Sequence, residues 1–133
     1  MKALLVEDSR AMRTFMGTIV RKLGIEVHEA EHGLDALERI ASLDALDLLL
    51  VDWNMPEMDG YELVKRLRAD DQYATIRILM VTSESDLENM VSALEAGADE
   101  YLMKPFSAEE LEGKLIQIGV LEQGDSRGEI SGS

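Results

Sequence analysis

The sequence predicts an α/β fold: a doubly wound sheet of five parallel strands with helices on both faces. Two observations predict it. Short apolar runs alternate with helical stripes five times in succession. Four of those runs also end in polar residues. Leu4-Leu5-Val6 ends at Glu7-Asp8, and Leu48-Leu49-Leu50-Val51 at Asp52. Ile78-Leu79-Met80-Val81 ends at Thr82-Ser83, and Tyr101-Leu102-Met103 at Lys104-Pro105. Open parallel sheets build their sites at the carboxyl ends of strands, near the point where strand order reverses.

The elements follow in order. Strands are expected at 3–6, 48–51, 78–81 and 100–103, as apolar runs because both faces are covered, with a weaker strand at 25–29, where charged residues interrupt the run. The first helix is marked by Met12, Phe15, Met16, Ile19 and Leu23, and the second by Leu34, Leu37 and Ala41. Leu63, Val64 and Leu67 mark the third, and Leu87, Met90, Val91 and Leu94 the fourth. Leu111, Leu115 and Ile118 mark the last. Ser85 with Glu88 and Ser107 with Glu110 have capping-box spacing. Gly24, Gly97 and Gly119 stand where helix C-caps are expected. Right-handed crossovers then place helices on both sheet faces. The pattern fades after Gly119, and 124–133 is rich in Gly, Ser and charge. The expectation is one domain over 1–119 and a flexible tail over 120–133.

Composition narrows the function. The chain has 133 residues, enough for one core. Its net charge of −14 argues against nucleic acid and anionic membranes, and for basic protein surfaces or divalent cations. Without cysteine there is no disulfide or thiolate metal site, which fits a cytoplasmic protein. No apolar run approaches the roughly 20 residues that span a bilayer.

The strand ends gather Glu7, Asp8 and Asp52, with Lys104, Thr82 and Ser83 beside them. Three carboxylates this close repel, so a pKa should rise unless a cation sits between them. An all-oxygen donor set favours Mg²⁺, with a backbone carbonyl just past Asp52, that of Asn54, as a further ligand. Taken singly, each residue has a plainer use. Glu7 and Asp8 suit a helix N-terminus. Asp52 suits a cap before the Pro56 turn, and Lys104 a strand-ending surface position. His28 and His32 lie around the second strand, are expected to be exposed, and stand away from the cluster. Lys104-Pro105 is a candidate cis peptide. Asp52 can itself accept a phosphoryl group as an acyl phosphate, leaving the protein to position and to neutralise charge. Trp53, the sole tryptophan, should be partly exposed beside it.

With these residues in place, the chain resembles the receiver domain of two-component response regulators. Within that family it is most similar to single-domain chemotaxis members of the CheY type. The resemblance covers about 2–118. It rests on Glu7-Asp8, Asp52-Trp53-Asn54-Met55-Pro56 with Met58-Asp59-Gly60, Val81-Thr82, Ala96-Gly97-Ala98 and Lys104-Pro105-Phe106. It implies a flavodoxin-like strand order 2-1-3-4-5 and Asp52 as phosphoacceptor. Asp8, Asp52 and the Asn54 carbonyl become Mg²⁺ ligands, with Glu7 acting through water. Thr82, Lys104 and the Ser83 backbone N–H become phosphoryl contacts. Thr82 and Tyr101 match the switch pair, and Asn54 and Glu84 the positions that tune dephosphorylation. The implied partners are a histidine kinase or phosphotransfer protein, and an output partner on the fourth helix, fifth strand and fifth helix. The flagellar motor switch is one such partner. Lys114 fits that surface, whereas Ser85-Asp86-Leu87-Glu88-Asn89 is acidic where chemotaxis members often carry basic residues. A monomer is expected, with dimerisation on phosphorylation left open.

Four alternative readings compete with this one. An aspartate-dependent phosphohydrolase needs a second aspartate where Asn54 stands. A flavodoxin-like ligand module needs a Ser/Thr/Gly-rich loop in place of Glu7-Asp8-Ser9-Arg10. A single-domain receiver of another phosphorelay would share every motif, whereas a pseudo-receiver would not need the intact cluster.

Overall fold

A computed structural model describes residues 1–55, 58–83 and 87–122, without the side chains of 87–89. Five strands alternate with five helices: β1 (Lys2–Val6), α1 (Arg10–Lys22), β2 (Glu26–Ala30), α2 (Gly33–Ser42) and β3 (Leu48–Asp52). They continue as α3 (Gly60–Arg68), β4 (Arg77–Thr82), α4 (Leu87–Ala96), β5 (Glu100–Met103) and α5 (Ala108–Gln117). All strand pairs are parallel, in the order β2-β1-β3-β4-β5. Each strand lies within one residue of its expected bounds at either end.

The two-residue period of the strands divides the core into two layers. Leu4, Val6, Leu49, Val51, Ile78 and Met80 face α2, α3 and α4. Ala3, Leu5, Leu48, Leu50, Leu79 and Val81 face α1 and α5. β3 is therefore buried along its whole length. Val120 and Leu121 still pack on the α1–α5 layer.

Three helical stripes are rotated from expectation. In α2, Leu34 is exposed and Ala41 faces solvent, while Gly33, Ala36 and Ile40 are buried. Gly33 faces in because Met58 fills that space: a methyl group there would stand 2.8 Å from the Met58 sulfur. In α1, Phe15 turns outward and Gly17 and Val20 turn in. In α4, Ala93 is buried while Val91 and Leu94 are exposed. The stripes of α3 and α5 are buried as expected.

Ser107 and Glu110 form a reciprocal capping box. The Ser85–Glu88 pairing lies outside the described residues. Gly24, Gly97 and Gly119 all have positive φ at helix ends. Arg68 was not singled out by sequence, yet it joins α3 to two loops. It donates to the carbonyls of Gly97 (2.9 Å), Tyr73 (3.0 Å) and Ile76 (2.7 Å) and pairs with Asp99 (3.1 Å).

Candidate functional site

Strand register assembles the site. Val6 pairs with Val51, so Glu7 and Asp52 leave adjacent strands side by side. Asp52 pairs with Val81, and Thr82 with Met103, so Thr82 and Lys104 complete the same rim. The β1–β3 boundary is where strand order reverses. Carboxylate oxygens of Glu7, Asp8 and Asp52 lie within 4.8 Å of one another. Glu7 and Asp52 are buried, whereas Asp8 is exposed. Such a triad could hold a metal ion.

Neither Glu7 nor Asp8 caps a helix. Ser9 caps α1 by accepting from the Met12 N–H, and the first turn of α1 contains no acid.

Lys104 reaches into the cluster. Its Nζ donates to Glu7 Oε1 at 2.9 Å and to Asp52 Oδ1 at 3.3 Å. The Lys104–Pro105 peptide is cis. The Ser9 N–H donates to the other Glu7 oxygen at 3.1 Å, and the Asn54 N–H makes a long 3.4 Å contact to Asp52 Oδ1.

Burial raises the pKa of Glu7 above its ordinary value; the Lys104 hydrogen bond opposes the rise and the Asp52 charge adds to it. Burial likewise raises Asp52, again against Lys104. Burial alone would lower the Lys104 ammonium, but its hydrogen bond to Glu7 and the Asp52 charge carry it above its usual value. A raised pair is what the sequence anticipates, but burial rather than repulsion between the carboxylates is the main cause.

The turn after Asp52 is held tightly. The Trp53 N–H donates to the Val81 carbonyl at 2.8 Å, and the Gly60 N–H to the Trp53 carbonyl at 3.0 Å. Asp59 caps α3 through the Glu62 N–H at 2.9 Å. Met55 and Met58 are buried beneath the turn. Trp53 is half-buried, with its ring 5.6 Å from that of Tyr61. At Gly60 there is no room for a side chain, since a Cβ would stand 2.5 Å from the Asp52 carbonyl oxygen. Gly60→Ala should push β3 and the turn apart. The expected loss is roughly 1–3 kcal/mol in urea denaturation, as for an overpacked core position. Unchanged stability would mean that α3 yields freely.

Other sequence-predicted residues fall around this centre. Thr82 is buried at the end of β4, while Ser83 and Asn54 are exposed on the rim. Glu84 lies outside the described residues. Tyr101 is half-buried on β5, and Lys114 Nζ stands 4.9 Å from its ring centroid. The histidines stand apart as expected, though both are half-buried rather than exposed because each is engaged locally. His28 contacts Glu26 at 2.6 Å, and His32 caps α2 by accepting from the Asp35 N–H. Sequence reasoning missed Arg13, which donates to the Glu7 carbonyl at 2.6 Å. Its only sequence signal is a cation one helical turn past the acidic pair.

Known proteins resemble this chain in sequence and fold. The response regulator receiver domain model matches residues 3–116. Chemotaxis protein CheY1 of Helicobacter pylori is 43% identical over 116 residues, spanning 86% of this chain and 94% of the relative. A chemotaxis protein CheY homolog of Campylobacter jejuni is 41% identical over 119 residues, 89% of this chain and 92% of the relative. Among solved structures, Vibrio cholerae chemotaxis protein CheY4 superposes with a TM-score of 0.82 at 35% identity, covering 88% of this chain and 97% of that one. Sheet order, strand-end cluster and a match along nearly the whole length agree, and the chain belongs to the response regulator receiver family, signalling switches whose counterpart is a histidine kinase.

Proposed function

We propose that this chain is a cytoplasmic, chemotaxis-type receiver whose Asp52 takes a phosphoryl group from a kinase phosphohistidine. The observation that carries the reading is Lys104 bridging Glu7 and Asp52 at the strand ends. In the transfer, a carboxylate oxygen of Asp52 attacks phosphorus. The P–N bond breaks, and the imidazole leaves with its electron pair.

The donor set fits Mg²⁺: Glu7, Asp8 and Asp52 supply only oxygens, within 4.8 Å of one another. Asp8, Asp52 and the Asn54 backbone carbonyl would hold the ion, with Glu7 acting through water. When bound, Mg²⁺ supplies positive charge against the oxygens of the transferring group. Lys104 supplies the second positive charge, and Thr82 and the Ser83 N–H donate to phosphoryl oxygens. The acyl phosphate adds charge and acceptor oxygens, drawing Thr82 in and letting Tyr101 turn. That repacking alters the α4-β5-α5 surface on which an output partner, such as a flagellar motor switch, docks. Asn54 and Glu84 frame the water that slowly hydrolyses the acyl phosphate. The chemotaxis assignment draws on relatives named as chemotaxis proteins. The protein is expected to be a monomer at rest.

Intact-mass measurement after incubation with acetyl phosphate and Mg²⁺ tests this reading. Wild type should gain one phosphoryl group. Lys104→Ala should gain it roughly 100-fold more slowly, as when one preorganised charge stabiliser is lost. Equal rates would remove Lys104 from the phosphoryl site.

A further inference from the structure

We propose that Arg13 is a positioning residue of the cation site, acting through the backbone carbonyl of Glu7. This rests on reading Glu7, Asp8 and Asp52 as a divalent cation site.

Glu7 is held at every polar atom. Its N–H donates to the Ala30 carbonyl at 3.1 Å, and its carboxylate oxygens accept from Ser9 and Lys104. Its carbonyl lies beyond the last β1–β2 pair, Val6 with Ala30, so the ladder has no donor for it. Arg13 Nη1 is that donor, at 2.6 Å. The guanidinium is itself fixed. Its Nε pairs with Glu29 at 3.1 Å, and the side chain is only 11% exposed. Arg21 reaches the other Glu29 oxygen at 3.5 Å. The Arg13 N–H donates to the Ser9 carbonyl at 2.9 Å, in the first turn of α1. One planar fork therefore ties α1, the end of β2 and the end of β1 together.

The carbonyl it holds belongs to the peptide joining Glu7 to Asp8. Rotation of that peptide would swing the Asp8 carboxylate relative to those of Glu7 and Asp52. Asp8 is exposed, so packing holds it little, and its backbone must place it within the triad. Outer partners that orient a metal's ligands commonly change affinity when removed.

The test is the Mg²⁺ dissociation constant, read from Trp53 emission, for wild type, Arg13→Ala and Arg13→Lys. Melting temperatures without Mg²⁺ are taken alongside. Arg13→Ala should bind Mg²⁺ about 10-fold more weakly at a temperature where it is folded. Arg13→Lys keeps the charge but not the fork, and should fall between Ala and wild type. An unchanged dissociation constant with a lowered melting temperature would overturn the proposal and make Arg13 a strut. If Arg13→Ala does not fold, Arg13→Lys carries the test: weaker binding than wild type supports the proposal, equal binding overturns it. Failure of wild type to bind Mg²⁺ would instead overturn the cation site itself, and this inference with it.

Discussion

Asp52→Asn should abolish phosphoryl transfer to the chain, leave the fold intact, and make the metal-free protein more stable. The first effect follows because an amide oxygen is a poor nucleophile at phosphorus and neither neighbouring carboxylate is placed to take over. Glu7 is turned to Ser9 and Lys104, and Asp8 is exposed. The second follows because asparagine has the same shape, so β3 keeps its register with β1 and β4. The third follows from the raised pKa of Asp52, which means that its charge opposes folding at neutral pH. Removing that charge leaves Lys104 to pair with Glu7 alone. A gain in stability is therefore expected in urea denaturation with EDTA. Loss of stability on this substitution would mean that Lys104 more than neutralises the pair.

Acid should stabilise the metal-free fold, and Mg²⁺ should cancel that dependence. Glu7 and Asp52 have folded pKa values above their model values of 4.5 and 3.8. The folded state therefore binds protons more readily than the unfolded chain. Their penalty is absent below the ordinary values and complete above the raised ones, so stability rises as pH falls through that window. Lys104 works the other way but elsewhere. Its stabilising contribution is complete below its ordinary value of 10.5 and fades only as pH rises through its raised one. The net charge of −14 adds self-repulsion that acid also relieves. Melting temperatures in EDTA should climb as the pH is lowered from neutrality toward the ordinary carboxylate values. With Mg²⁺ at 100 times its dissociation constant, the fold should gain about 2.7 kcal/mol near neutral pH, and less at low pH where protons compete. A melting temperature indifferent to both pH and Mg²⁺ would dissolve the account of the carboxylate cluster.

Much of this was legible in the sequence, for physical reasons. Strands buried on both faces show as apolar runs, so Leu48–Asp52 declared both its place and its polar end. Glu7, Asp8, Asp52 and Lys104 were legible because a charge closing a buried run has few uses. The helix faces were less so, because large apolar residues drew the stripes while the packing used small ones. Leu34, Val91 and Leu94 are exposed, whereas Gly33, Ala36 and Ala93 are buried. The roles of Arg13 and Arg68, and the steric need for glycine at position 60, were illegible for a different reason. What they meet is backbone: the Glu7 carbonyl, the Asp52 carbonyl, and carbonyls as distant as Gly97. Backbone partners leave no mark in side-chain patterns. The His32 cap was hidden because histidine is an uncommon residue in that role.

The most direct test of the central claim, that Asp52 is a phosphoryl acceptor in a cation-bound carboxylate cluster, is Trp53 emission in wild type and Asp52→Asn. Each is titrated first with Mg²⁺ and then with acetyl phosphate. The half-buried ring next to Asp52 should report both events. A Mg²⁺-dependent change, then a phosphodonor change present in wild type and absent in Asp52→Asn, is the predicted result. No response in wild type, together with no acyl-phosphate mass gain, would contradict it and leave a receiver fold that signals by protein contacts alone.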